Sequence, residues 1–198
     1  KGQKDTYFLA WTTTPWTLAA NAALAVKGDA DYVVVAGPRA HGEEPGSELY
    51  VLAADRVEAV FEGAQGEVVA RVPGSALAGV RYHPVMLGRA QDGADLANVY
   101  TVVVDEIVTL DDGTGIVHVA PAYGDLEVGR RHGLPALFSV DLTGAVMAEV
   151  RPVEGRPDRS APFDPAPLRE RVERPGPFTG AWFKDADHDI TAELTRRG

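Results

Sequence analysis

Short β-branched and aromatic runs, cut at close intervals by glycine, proline or aspartate, fill roughly the first 148 residues and leave little room for helices. The runs are TYFLAWT (6–12), YVVVA (32–36), LYVLAA (49–54), EVVARV (67–72), VYTVVVD (99–105) and GIVHVA (115–120). Several are apolar throughout instead of alternating, which predicts strands covered on both faces, as in a barrel or packed sheets. Two helices interrupt them. ADRVEAVFEG (54–63) puts Val57, Val60 and Phe61 on one face and stops at Gly63, while DLEVGRRHG (125–133) opens on Asp125 as a capping residue and ends at Gly133. From 149 to 177 prolines and arginines crowd in without apolar periodicity, which predicts an extended loop or insertion. WFKDADHDITAELTRRG (182–198) then regains a helical pattern, with Ile190 and Leu194 spaced i, i+4. The expected fold class is α+β, strand-dominated, with a few peripheral helices.

Composition narrows the function. The chain of 198 residues has no cysteine, which excludes disulfides, thiolate metal sites and a cysteine nucleophile. No apolar run approaches the roughly 18 residues of a membrane span, and KGQKDTYFLAWTTT lacks the layout of a signal peptide. A cytoplasmic location without membrane contact is expected. The formal net charge is −10, from 19 basic and 29 acidic side chains. That balance is poor for gripping a polyanion unaided, because phosphate contacts supply most nonspecific affinity. A nucleic-acid ligand would have to be delivered by something else, or touched only at one end.

Two stretches can carry chemistry. The first is Trp11-Thr12-Thr13-Thr14-Pro15-Trp16-Thr17-Leu18, followed by Asn21. Three threonines in a row, halted by proline, present hydroxyls and amides in different directions, which suits a ribose or a water held for attack. A strand end capped by local Ser/Thr turns explains them as well. The second is Gly113-Thr114-Gly115-Ile116-Val117-His118-Val119-Ala120-Pro121-Ala122-Tyr123-Gly124-Asp125. His118 reads either as a satisfied core histidine or as a site residue, and Asp125 either as a helix cap or as a partner for a ligand ammonium. His83 and His188 have no partners at metal-ligand spacing. Arg130-Arg131-His132 is a small basic patch, a solvated helix end or a phosphate contact.

Taken together the strings resemble a known family. WTTTPWTLAAN (11–21) is similar to the threonine-rich peptide of isoleucyl-tRNA synthetase editing domains, usually WTTTPWTLPxN, and GTGIVHVAPAYG (113–124) to their second signature. DLEVGRRHGLP (125–135) and FTGAWFKDADHDITAELTRRG (178–198) resemble the Asp-led helix and the exit segment, in family order. Valyl and leucyl editing domains typically read TTRPET or TTRPDT, whereas here Thr14 is followed by Pro15-Trp16-Thr17. In the family the histidine and aspartate commonly lie nine positions apart. Here Asp125 follows His118 by seven and Glu127 takes the ninth place. Asp125 keeps the assignment because its distance to Gly133-Leu134-Pro135 matches the family.

The resemblance implies a β-barrel-like editing core and a single domain over 1–198, excised from a longer synthetase, with 149–177 as an insertion within it. It implies hydrolysis of valine from mischarged valyl-tRNA(Ile), and possible action on valyl-adenylate. Thr12, Thr13 and Asp125 would be catalytic. Trp11, Thr14, Thr17, Asn21 and His118, with Asp125 on the α-ammonium, would bind substrate. Neither aminoacylation signature, His-x-Gly-His or KMSKS, is present. No cofactor is therefore expected in this segment, since ATP and any zinc belong to other domains of the parent enzyme. The expected partners are the 3′ end of tRNA(Ile) carrying valine and those other domains, with a monomeric state. The alternatives are an editing domain for another mischarged tRNA, such as threonyl-tRNA(Val), and a non-catalytic module that positions the tRNA 3′ end.

Overall fold

The computed structural model describes residues 5–37, 48–62, 66–90, 93–147, 149–151, 172–174 and 178–197. The strands are β1 (Thr6–Phe8), β2 (Ala23–Val26), β3 (Asp31–Ala36), β4 (Leu49–Ala53), β5 (Glu67–Pro73), β6 (Arg89–Ala90), β7 (Thr101–Val104), β8 (Ile116–Val119), β9 (Leu137–Phe138), β10 (Glu149–Arg151) and β11 (Val172–Arg174). The α-helices are α1 (Val57–Phe61), α2 (Leu126–His132) and α3 (Phe183–Arg197). Tight 3-10 turns at Pro15–Ala20 and Pro121–Tyr123 carry the two chemistry-bearing stretches.

One sheet is ordered β1–β4–β3–β5, with β1 parallel to β4 and the other pairs antiparallel. A second is ordered β7–β2–β8, with β2 parallel to β7 and antiparallel to β8. β6 with β9, and β10 with β11, form antiparallel pairs. The fold is thus α+β and strand-dominated, as the punctuated runs predict. Among the described residues the sheets stay separate and close no barrel. Strands of two to seven residues give no continuous hydrogen-bonded ring, and single bridges such as Trp11 to Val117 and Arg81 to Thr101 join the edges.

β2 was absent from the strands predicted by composition, yet it is the centre of the second sheet. Its side chains alternate as a strand requires. Ala23 and Ala25 enter one apolar cluster with Val99, Tyr100, Val119 and Leu137, while Leu24 and Val26 enter another with Tyr32, Val51, Val102 and Ile116. Burial on both faces erases the alternating polarity that marks a half-exposed strand, and alanine contributes no β-branched signal.

Other boundaries move for local reasons. The 6–12 run keeps strand geometry only to Phe8, and the 99–105 run starts at Thr101 because Tyr100 sits at φ +55. The first helix opens as a 3-10 turn over Ala54–Arg56, continues as α1 and ends at Glu62, which is left-handed at φ 47. Val57, Val60 and Phe61 pack as predicted, against Val33, Val35 and Leu52. Ile190 and Leu194 of α3 join Ala186, Phe178, Trp16 and Met86 in a further cluster. Of the predicted 149–177 insertion, the ends pair as β10 and β11, and 152–171 and 175–177 lie outside the described residues. Among the described residues no helix is long and apolar enough to cross a membrane.

Candidate active site

The threonines are tied to one another before they meet any ligand. Thr12 Oγ1 accepts the Thr14 amide at 3.1 Å, a local turn of the kind threonine favours. Pro15 then opens the 3-10 turn where its missing N–H costs nothing. Within that turn the Thr17 hydroxyl donates to the Thr14 carbonyl at 2.8 Å and lies 3.2 Å from Thr14 Oγ1, which is 3.4 Å from Thr12 Oγ1. Thr17 is buried, whereas Thr13 and Thr14 face solvent.

His118, on β8, closes the network from beneath. Its Nε2 lies 3.0 Å from Thr17 Oγ1 and its Nδ1 2.8 Å from Asn21 Nδ2. Asn21, only 5% exposed, also donates from Nδ2 to the Ala23 carbonyl at 2.8 Å, and its Oδ1 accepts the Tyr82 phenol. Counting donors fixes the protons. An amide NH₂ only donates, so His118 Nδ1 is bare and its proton sits on Nε2. Nε2–H therefore donates to Thr17. The Thr17 proton is already spent on the Thr14 carbonyl, so Thr14 must donate to Thr17 and accept from Thr12. Burial pushes the His118 pKa from 6.5 down to about 4, which keeps the ring neutral near pH 7 and suits this arrangement.

Asp125 approaches from the same strand end. It occupies the N-cap position of α2, but its side chain does not cap the helix. Instead Oδ2 accepts the amide of Ala120 at 2.8 Å, two residues beyond His118. The capping role predicted from its position is corrected by this bond, because the turn Pro121–Tyr123 folds the carboxylate back onto the end of β8. Among the described residues its other oxygen has no hydrogen-bond partner, and no bond joins it to the threonines. Glu127, the alternative carboxylate, lies on the exposed face of α2 and pairs with Arg130 at 2.6 Å.

Aromatic rings hold the two stretches together. Trp16 packs edge-on against Tyr123, with centroids 4.8 Å apart, and against Phe183 of α3 at 4.7 Å. The Tyr123 hydroxyl accepts the amides of Ser139 and Val140. Trp11 is 56% exposed, bridges to Val117 and lies against Gly113, outside the hydrogen-bonded network. Gly115 is left-handed at φ +72, and a Cβ there would stand 2.4 Å from that of Ala53.

Comparison with known proteins gives these stretches a family. No protein-family model matches the chain. Curated isoleucine–tRNA ligases do. That of Thermococcus kodakarensis is 36% identical over 200 residues, covering 97% of this chain and 16% of its own length. That of Clostridium novyi is 41% identical over 157 residues, covering 78% and 14%. Among solved structures, the editing domain of the P. knowlesi cytosolic leucyl-tRNA synthetase matches 98% of this chain and 82% of its own at a TM-score of 0.59 and 13% identity. The corresponding P. falciparum editing domain matches 98% and 77% at a TM-score of 0.60 and 12% identity. The chain belongs to the isoleucine–tRNA ligase family. It spans only 14–17% of the length of the curated relatives it matches first.

In this ligase segment Thr12, Thr14, Thr17, Asn21 and His118 form one bonded network, Thr13 stands exposed beside it, and Asp125 is held at the end of the strand that carries His118. Two contributors carried no sequence signal. Tyr82 comes from a stretch with no period, and Asp187, whose Oδ1 accepts the Trp16 amide at 2.9 Å, is one of several aspartates on α3. The basic patch is committed internally. Asp105, its side chain 3% exposed, receives Arg131 at 2.8 Å and His132 Nε2 at 2.8 Å. Burial pushes the Asp105 pKa up, but the Arg131, Ile107 amide and His132 contacts outweigh it and hold the carboxyl below its usual value. This pairing ties the end of α2 to the end of β7. Among the described residues no group of three or more His, Asp or Glu side chains gathers as a metal site needs.

Proposed function

We propose that this chain is the editing site of an isoleucine–tRNA ligase and hydrolyses the ester of valyl-tRNA(Ile). The observation that supports the reading is that β8 serves both stretches, with His118 on it bonded to Thr17 and the Ala120 amide just past its end bonded to Asp125, on a fold shared with synthetase editing domains. An apolar pocket separates isoleucine from valine by only about 1–3 kcal/mol, a limit for which this very amino-acid pair is the usual worked case, so a second, hydrolytic sieve is required.

On this reading the free oxygen of Asp125 takes the α-ammonium of valine in a charge-assisted bond. Thr12 and Thr13 hold the terminal adenosine and the attacking water, while Trp11, Thr14, Thr17 and His118 bound the space that rejects isoleucine. Neutral His118, with both nitrogens engaged, is a poor general base. Positioning of a water against an already reactive ester supplies the rate. The partners are the tRNA(Ile) 3′ end and the remaining domains of the synthetase, which hold ATP and any zinc, in a monomer in the cytoplasm. The chain 1–198 is one editing domain.

The test is release of amino acid from valyl-tRNA(Ile), with isoleucyl-tRNA(Ile) and threonyl-tRNA(Val) for comparison. Asp125→Ala should lose about 100-fold or more, the scale of a lost charge-assisted contact at a reacting centre, while Glu127→Gln should match the parent. Equal rates for Asp125→Ala and the parent remove Asp125 from the mechanism. Binding of a non-hydrolysable valyl-adenosine without any turnover favours a positioning module instead.

A further inference from the structure

The threonine network does not end at Asn21. The Tyr82 phenol donates to Asn21 Oδ1, the acceptor left over once both Nδ2 protons are committed to Ala23 and His118. Tyr82 is itself fixed. Its amide donates to the Tyr100 carbonyl at 3.1 Å, and its ring lies edge-on to Phe8 and Tyr100 at 6.4 and 6.0 Å. Burial, then the neighbouring Tyr100, pushes its pKa well above 10, against the opposing pull of the Asn21 bond, so the phenol keeps its proton.

We propose that Tyr82 is a positioning residue for the editing site, holding Asn21 so that the relay through His118 and Thr17 sets the direction in which the Thr14 and Thr12 hydroxyls donate. Each link constrains the next. With Asn21 held as a double donor, His118 must donate through Nε2, and Thr17 is filled as an acceptor from both His118 and Thr14. The protons of Thr14 and Thr12 then run inward along the network. Their remaining lone pairs point out of it, as acceptors for the protons of a bound water. Such a water presents its own lone pair away from the threonines, the orientation an attacking water needs. The inference rests on the editing reading for its consequence, but not for its geometry.

A double-mutant cycle on the full 198-residue chain tests it, using Tyr82→Phe, Asn21→Leu and the pair, with histidine labelled in ¹⁵N. His118 is assigned by the signals that vanish in His118→Gln, and melting curves check that each variant folds. Tyr82→Phe should lower kcat for valyl-tRNA(Ile) about tenfold, one neutral hydrogen bond's worth, with KM unchanged. Asn21→Leu should lower it further and show His118 in both tautomers, where the parent shows only protonated Nε2. The double variant should match Asn21→Leu, because Tyr82 acts through Asn21. Additive losses, or His118 nitrogens unaltered in Asn21→Leu, overturn the proposal. Absence of any deacylation by the parent overturns the editing reading alone, since the ring-nitrogen signals still decide the relay.

Discussion

At the scale of single residues, His118 turns the site into a pH-sensitive part of the fold. Its folded-state pKa, about 4, lies below the unfolded value of 6.5. The unfolded chain therefore takes up this proton first as pH falls. The contribution is whole above about pH 6.5, declines through the window below it, and is gone by about pH 4. At 1.36 kcal/mol per unit it amounts to at most about 3 kcal/mol. Urea denaturation between pH 4 and 7 should show this slope in the parent and not in His118→Gln; equal slopes would place the acid sensitivity elsewhere. Most of this site was legible as strings, because Thr12–Thr17, Asn21 and His118 sit inside two ordered motifs. Asp125 was legible as a residue but not in its bond. An aspartate before a helix reads as a cap, and only the folded turn 121–123 shows that a nearer amide, that of Ala120, takes it first. Tyr82 was illegible, since a tyrosine between short runs has the same sequence appearance whether it packs or donates.

At the scale of elements, the site depends on α3 as much as on its own loop. Asp187 reaches from that helix to the Trp16 amide, and Phe183 backs the indole. Asp187→Ala should cost about 1.5–3 kcal/mol, as a hydrogen bond to a charged acceptor does, and slow deacylation with it. Thermal melting and kcat should fall together; a fall in melting temperature with full activity would show that the helix stabilises the fold without setting the loop. The elements themselves were read unevenly. Apart from the 6–12 run, which stops at Phe8, the strands rich in valine were found within a residue or two, because their β-branched bulk survives any environment. β2 was missed because its information lies in what surrounds it: both faces are covered, so its sequence carries no alternation. The same burial makes β2 the strand on which Asn21, at its mouth, and His118, across from Leu24, are registered.

At the scale of the whole molecule, charge and topology decide what the chain can do alone. With a net charge of −10, and with Arg131 and His132 of its basic patch paired to Asp105, the chain is poorly matched to a polyanion. The isolated chain should bind tRNA weakly, with log K falling against log salt at a slope no steeper than about −3, equivalent to some three neutralised phosphates. A slope near −6 measured over 50–200 mM salt, the scale of six to ten phosphate contacts, would mean that the chain grips the tRNA body itself. The bond from Trp16 to Asp187 crosses 171 residues. At a synthesis rate of about 5–20 residues per second, the threonine loop leaves the ribosome roughly ten to thirty seconds before its tether exists. Within this segment the loop is made well before the helix that tethers it. A nascent chain therefore carries every threonine of the site before it carries the Asp187 that ties down their loop.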